Sequence, residues 1–169
     1  MKIIKNIYLT RRFFLLFANV IVLYVLAYST PMYEFIANVV LASLFGLTLV
    51  DVLLVFSNAN PLSVKRKVLN RLNLGDENPV HLTVTNNTGQ PIDFSLIEGY
   101  PVEMQDRSTV LSGIIGGNSS KVFDYDFIPK RRGEYEFNDA FIIIRSMFSL
   151  ASRRVDILLK ETVHVYPSV

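Results

Sequence analysis

Phe35-Ile36-Ala37-Asn38-Val39-Val40-Leu41-Ala42-Ser43-Leu44-Phe45-Gly46-Leu47-Thr48-Leu49-Val50-Asp51-Val52-Leu53-Leu54-Val55-Phe56 is an apolar run broken by a single carboxylate. A helix rises about 1.5 Å per residue, and a hydrocarbon core of roughly 30 Å takes about 20 apolar residues. This stretch has ample length to cross a bilayer. A second apolar run, Phe13 to Tyr28, lies just upstream, separated by Ser29-Thr30-Pro31-Met32-Tyr33-Glu34. A cleaved signal peptide would end in small residues, and Tyr28-Ser29-Thr30-Pro31 does not fit. Together the runs predict transmembrane helices over 13–30 and 35–56, an N-terminal segment at 1–12 and a turn at 31–34.

Orientation follows from the basic residues. Lys2, Lys5, Arg11 and Arg12 precede the first run, Lys65, Arg66, Lys67 and Arg71 follow the second, and the turn carries only Glu34. Positive charge stays on the cytoplasmic side, so both ends are expected there and the turn outside. Asp51 would cost roughly 2.5–3.5 kcal/mol at the bilayer centre. It lies about 7–8 Å from the end of the run, within reach of the headgroups. A proton relay needs further ionisable groups at that depth, and the first run offers none. Asp51 therefore reads as an interfacial or helix-pairing residue, and Asn19 and Asn38 as helix–helix hydrogen bonders.

The remaining 57–169 make one domain's worth of chain. Net charge is +2 and cysteine is absent, which excludes disulfides, thiol catalysis and cysteine-ligated metals. Ser57-Asn58-Ala59-Asn60-Pro61 reads as a linker over 57–61, followed by a β-sandwich over 62–169. Beyond it the periodicity becomes two. Val80, Leu82 and Val84 alternate with His81, Thr83 and Thr85, and Phe123, Tyr125 and Phe127 with Asp124 and Asp126. Asn87 to Pro91 and Gly113 to Ser120 supply turns. About seven short strands predict an all-β, immunoglobulin-like antiparallel sandwich. Gly133, Tyr135 and Phe137 have the spacing of a tyrosine corner, whose hydroxyl bonds back to the backbone upstream. Phe137 stands at the cysteine position.

No catalytic constellation is present. His81 and His164 lie on the polar phase of separate strands without companion ligands. Gly113-Ile114-Ile115-Gly116-Gly117-Asn118-Ser119-Ser120-Lys121 lacks the Gly-Lys-Ser/Thr order of a phosphate loop and reads as a hairpin or an inter-sheet loop. The sequons at Asn86 and Asn118 are discounted, because the predicted topology puts them inside. Lys130, Arg131, Arg132, Arg145, Arg153 and Arg154 read first as solvated loop charge, and beyond that as candidates for contact with anionic headgroups or an acidic partner. Lys65-Arg66-Lys67 is a juxtamembrane basic cluster. If it forms a strand, Val64, Arg66 and Val68 share a face, and Arg66 then needs an acid partner or an edge position. Nucleic acid would want stronger net charge or a stacking surface.

Leu9-Thr10-Arg11-Arg12-Phe13, Asp51, Leu74-Gly75-Asp76-Glu77-Asn78-Pro79-Val80, Pro129-Lys130-Arg131-Arg132-Gly133-Glu134-Tyr135 and Val165-Tyr166-Pro167 together resemble the N-terminal part of the bacterial "domain of unknown function fifty-eight" proteins. The resemblance covers essentially the whole chain. It implies two membrane helices, a β-sandwich, and then a region similar to a von Willebrand factor A domain. Any metal-dependent adhesion site would lie in that later region, so no metal, cofactor or catalytic residue is assigned here. On the resemblance, the chain is a piece of a longer protein or a short member. It departs from the family at Ser149, where relatives tend to carry Gly. The implied partners are membrane lipid, MoxR-type AAA+ ATPases and A-type-domain proteins. The implied role is a non-enzymatic, cytoplasm-facing scaffold or adaptor in the bacterial inner membrane that aids assembly of envelope complexes. An outward-facing ligand-binding or sensing module is the alternative.

Overall fold

A computed structural model describes residues 7–28, 30–99, 101, 110–146 and 148–166. Lys2, Lys5, Ser29 and Pro167, used above, lie outside the described residues. The chain divides into two compact units. One takes in the chain up to Ala59 together with Ile144–Arg154, and the other Asn60–Ile143 with Val155–Val169.

The first unit holds a short strand β1 (Ile7–Leu9) and two helices, α1 (Arg11–Ala27) and α2 (Pro31–Phe56). The helices pack side by side. The Phe13 ring meets that of Phe45 edge to face, and Tyr24 Oη donates to Asn38 Oδ1 at 2.7 Å. Phe13, Val20, Leu44 and Leu150 form the buried cluster. The expectation of two spanning helices is corrected here. Among the described residues only α2, over Met32–Phe56, is long and apolar enough to cross a membrane. α1 has 17 residues, about 25 Å of rise against a core of roughly 30 Å, and it opens on Arg11 and Arg12. Residues 31–34, expected as a turn, form the first turn of α2.

The second unit is built from strands. They are β2 (Leu62–Lys67), β3 (Arg71–Asn73), β4 (Asn78–Asn86), β5 (Ile92–Gly99), β6 (Val110–Ile115), β7 (Ser120–Phe127), β8 (Gly133–Arg145), β9 (Ala151–Ile157) and β10 (Glu161–Tyr166). β8 and β9 are neighbours, and both run on into the helical unit. β2, β4 and β7 make one antiparallel sheet. In the other, β8 pairs with β10, β10 with β3, and β5 with both β6 and β8. The alternation of β4 puts Val80, Leu82 and Val84 fully inside, as a half-buried strand requires. Leu72, Val80, Phe127, Tyr135, Phe137, Val163 and Val165, drawn from both sheets, share one core.

A two-helix membrane hairpin followed by a purely antiparallel immunoglobulin-like sandwich does not describe this chain. β10 and β3 run parallel. β1, from the segment expected to be a simple N-terminus, pairs with β9 through Ile7↔Arg153, Tyr8↔Ser152 and Leu9↔Ala151. The passage between units is also more than the expected linker at 57–61, since the chain crosses at 59/60, 143/144 and 154/155. Pairing with a distant strand, rather than local pattern, creates these features.

β4 carries a buried Asn at each end, and each organises one end of the β unit. Asn78 donates to the carbonyls of Asn73, Asp76 and Phe127 and accepts from Asn73 N–H. Asn86 donates to Gln90, Ile115 and Gly116 and accepts from Thr88 N–H and Oγ1. Both amides spend nearly all their hydrogen-bonding capacity on loop backbone. This burial also removes Asn86 as a glycosylation acceptor in the folded protein.

Candidate functional site

Asp51 is fully buried near the end of α2. Its Oδ2 accepts the backbone N–H of Leu150 at 2.8 Å and of Ala151 at 2.7 Å, and its Oδ1 accepts from Ser146 Oγ. On the other side of the same loop, Thr10 N–H donates to Leu150 O at 2.9 Å and Thr10 Oγ1 to Ser149 O. The tip between β8 and β9 is thus held from the start of α1 and the end of α2, with Leu150 packed among both helices. A carboxylate saturated by donors of the same unit is built to hold backbone. The expected helix-pairing role of Asp51 is corrected, since its partner is a loop about 95 residues away in sequence rather than another helix.

Ser149 holds that loop in a left-handed turn, with φ of 53°. Its Oγ donates to Ser146 O at 3.1 Å, which compensates in part for the strain a side chain meets there. Ser149→Gly relieves the strain but adds unfolded-state freedom. We expect it to raise stability by up to about 1 kcal/mol, read as a small upward shift in thermal midpoint in micelles.

Arg66 corrects the juxtamembrane expectation. Its side chain is 1 % exposed, and Nε meets Glu98 Oε1 at 2.7 Å. Nη1 donates to Leu159 O at 2.6 Å and Nη2 to Asn138 O at 3.3 Å, and the guanidinium lies 4.8 Å from the centre of the Phe137 ring. Arg66 is therefore unavailable to lipid headgroups, whereas Lys65 and Lys67 on the opposite phase of β2 are exposed. Burial pushes the Glu98 carboxyl above the ordinary carboxylate range. The Arg66 charge and hydrogen bonds from Tyr125 and Arg66 oppose that push. The pair joins β2 of one sheet to β5 of the other.

The remaining basic candidates separate by position. Arg153 is committed to its own unit. It donates to Asn58 O at 2.9 Å and Ala59 O at 3.1 Å and stacks over Phe56 at 4.8 Å, which places a cation at the C-terminus of α2. The partner-contact expectation for Arg153 is corrected accordingly. Arg145 and Arg154 also make interactions within the fold. Lys130, Arg131 and Arg132 are exposed on the β7–β8 connection. Tyr135 stiffens that connection, because its hydroxyl donates to Arg131 O and accepts from Arg131 N–H, both at 3.0 Å. Gly133, with φ of 133°, takes the turn between them, and Phe137 is buried beside Phe127.

Register fixes where this loop sits within the β unit. β4 pairs with Phe127 at its Asn78 end and with Leu62 at its Asn86 end. β8 begins at Gly133 and reaches Ile143 ten residues later, about 33 Å of strand. Lys130–Arg132 therefore occupies the end of the β unit opposite Asn60 and Ile143, where the chain passes out of it. The acidic Asp76-Glu77 turn adjoins it through Gly75 N–H to Pro129 O at 3.1 Å.

His81 pairs with Asp124 at 2.6 Å and His164 faces Glu134 at 3.6 Å, all four substantially exposed. The Gly113–Lys121 segment runs from β6 of one sheet to β7 of the other, an inter-sheet connection rather than a hairpin, and a side chain at Gly117 would collide with the Gly89 carbonyl. Among the described residues no group of three or more His, Asp or Glu is placed to hold a metal ion.

These features define a two-unit protein, a helical unit with one membrane-competent helix and a two-sheet β unit. No family model matches the chain, and no curated protein matches it. Solved structures give partial likenesses. The CARDB domain of the PF1109 protein from Pyrococcus furiosus, crystallised in complex with di-metal ions, is similar at 12 % identity. It covers 63 % of this chain and 94 % of its own, with a TM-score of 0.43. A mutant β-glucosidase from Listeria innocua is similar at 13 % identity over 64 % of this chain and 16 % of its own, with a TM-score of 0.37. The alkylpurine DNA glycosylase AlkC from Pseudomonas fluorescens is similar at 11 % identity over 62 % of this chain and 30 % of its own, with a TM-score of 0.35.

Proposed function

We propose that the protein is a membrane-anchored, non-catalytic adaptor, with α2 in the bilayer and the β unit on the cytoplasmic side. The observation that carries this is the exterior of α2. Phe35 is 72 % exposed, Leu49 and Leu53 each 62 %, with Met32, Phe45 and Leu54 also outward. A continuous apolar helix surface of this extent calls for lipid or protein cover, and α2 has the length for lipid. Arg11, Arg12 and Arg153 gather at the Phe56 end of the helical unit, whereas Glu34 marks the other end. Positive charge on the cytoplasmic side then puts Ala59, and the chain that follows it, in the cytoplasm.

The adaptor surface in this reading is Lys130-Arg131-Arg132, held by the Tyr135 corner. Three adjacent exposed cations on a connection stiffened by Tyr135 suit an acidic protein partner. The family resemblance supplies the candidate, a MoxR-type AAA+ ATPase, in complexes that assemble envelope proteins. The test is co-purification of such an ATPase with the full chain, from membranes, with and without Arg131→Glu/Arg132→Glu. Recovery reduced about tenfold or more by charge reversal supports the reading. Equal recovery, or none with either chain, overturns it.

A further inference from the structure

We infer that α1 carries the interface for a second copy of this chain, centred on Asn19. α1 meets α2 through Phe13, Val20 and Tyr24. A different face presents Leu15, Asn19, Val22 and Leu26, and nothing in the described structure covers it. Leu15 is 55 % exposed, Val22 56 % and Leu26 49 %. The spacings of four, three and four follow the heptad seam of a helix pair, with Asn19 where such seams tolerate one polar residue to set register.

The chemistry at Asn19 names the occupant. One Nδ2 hydrogen goes to Leu15 O of its own helix at 2.8 Å. Among the described residues no donor reaches Oδ1, and the second Nδ2 hydrogen is unspent. The side chain stands among leucines and valines, where an unpaired amide is costly. One spare donor and one spare acceptor on the same side chain are self-complementary. A two-fold axis beside Asn19 satisfies both copies at once and brings Leu15, Val22 and Leu26 against their own equivalents. This inference rests on the bilayer placement of the helical unit proposed above, but not on the adaptor role or on the Lys130–Arg132 surface.

The absence of cysteine makes cross-linking a direct test in the full chain in lipid vesicles. Single substitutions Leu15→Cys, Val22→Cys and Leu26→Cys should give disulfide-linked dimers on mild oxidation. Phe14→Cys, Ile21→Cys and Val25→Cys, equally exposed on another face of α1, should give few. In the Leu15→Cys background, Asn19→Ala should weaken association about fivefold, and Asn19→Gln should retain more of it. Equal cross-linking on both faces, no cross-linking at all, or indifference to Asn19→Ala would overturn the interface.

Discussion

Asp51→Ala lowers stability by about 3 kcal/mol or more, a substantial share of the roughly 5–15 kcal/mol that a domain has in reserve. Three donors lose their acceptor at once, and two of them, Leu150 N–H and Ala151 N–H, are buried backbone groups with no alternative partner of the same reach. Loss of the clamp also frees Leu150 from the helix cluster. Asp51→Asn behaves differently. The amide oxygen can take the two backbone N–H bonds, and the amide nitrogen can donate to Ser146 Oγ, since a hydroxyl both donates and accepts. Charge assistance alone is lost, worth about 1 kcal/mol. Thermal denaturation in micelles and hydrogen exchange at 148–151 separate the variants. Fast exchange should appear in the Ala variant and much less in the Asn variant. A proton-relay role would give the reverse ranking of interest, with Asn abolishing activity while stability held.

Arg66→Met, or Glu98→Leu, costs about 3–5 kcal/mol, because each strands a buried charge. The double substitution Arg66→Met/Glu98→Leu should recover most of that loss, since no charge remains inside. It falls short of full recovery because Leu159 O and Asn138 O lose their donor. A double-mutant cycle by chemical denaturation of the β unit's tertiary signal measures the coupling. Additive losses would contradict the pair as described. Glu98 also imposes a pH dependence. Its folded pKa lies above the 4.5 of the free group, so the folded state binds the proton more tightly and stability falls as pH rises from about 4.5 through the folded value. Wild type should lose stability relative to Glu98→Gln across that window, and a difference that is flat with pH would contradict the burial effect.

The Arg66–Glu98 pair shows how much was legible. Arg66 falls on the apolar phase of β2 with Val64, and that alone demands an acid. Glu98 falls on the apolar phase of β5 with Ile92, Phe94 and Leu96, so the same rule applied to both strands would have matched them. Asp51 was conspicuous as the one acid in the apolar run 35–56, but its partners are two backbone N–H groups and a serine hydroxyl on a distant loop, which carry no sequence signal. The strands with clean alternation, β4 and β7, were readable because burial on one face imposes period two. β1 and β3 were not, because three residues contain no period and exist as strands only through pairing with β9 and β10. The first apolar run was read as a span on composition. Helix length, set by where α1 starts and stops, decided against it. Arg153 shows the limit for charged residues, since only the fold reveals that its guanidinium closes the end of α2 rather than facing a partner.

The most direct measurement of the central claim uses a single cysteine at Lys130, an exposed position in a chain with none of its own. Lys130→Cys in intact cells should resist a membrane-impermeant maleimide and react only after the membrane is opened, with the protein remaining in the membrane fraction after alkaline extraction. Labelling in intact cells would place the β unit outside and favour an outward-facing binding module, and release by alkaline extraction would contradict α2 as an anchor.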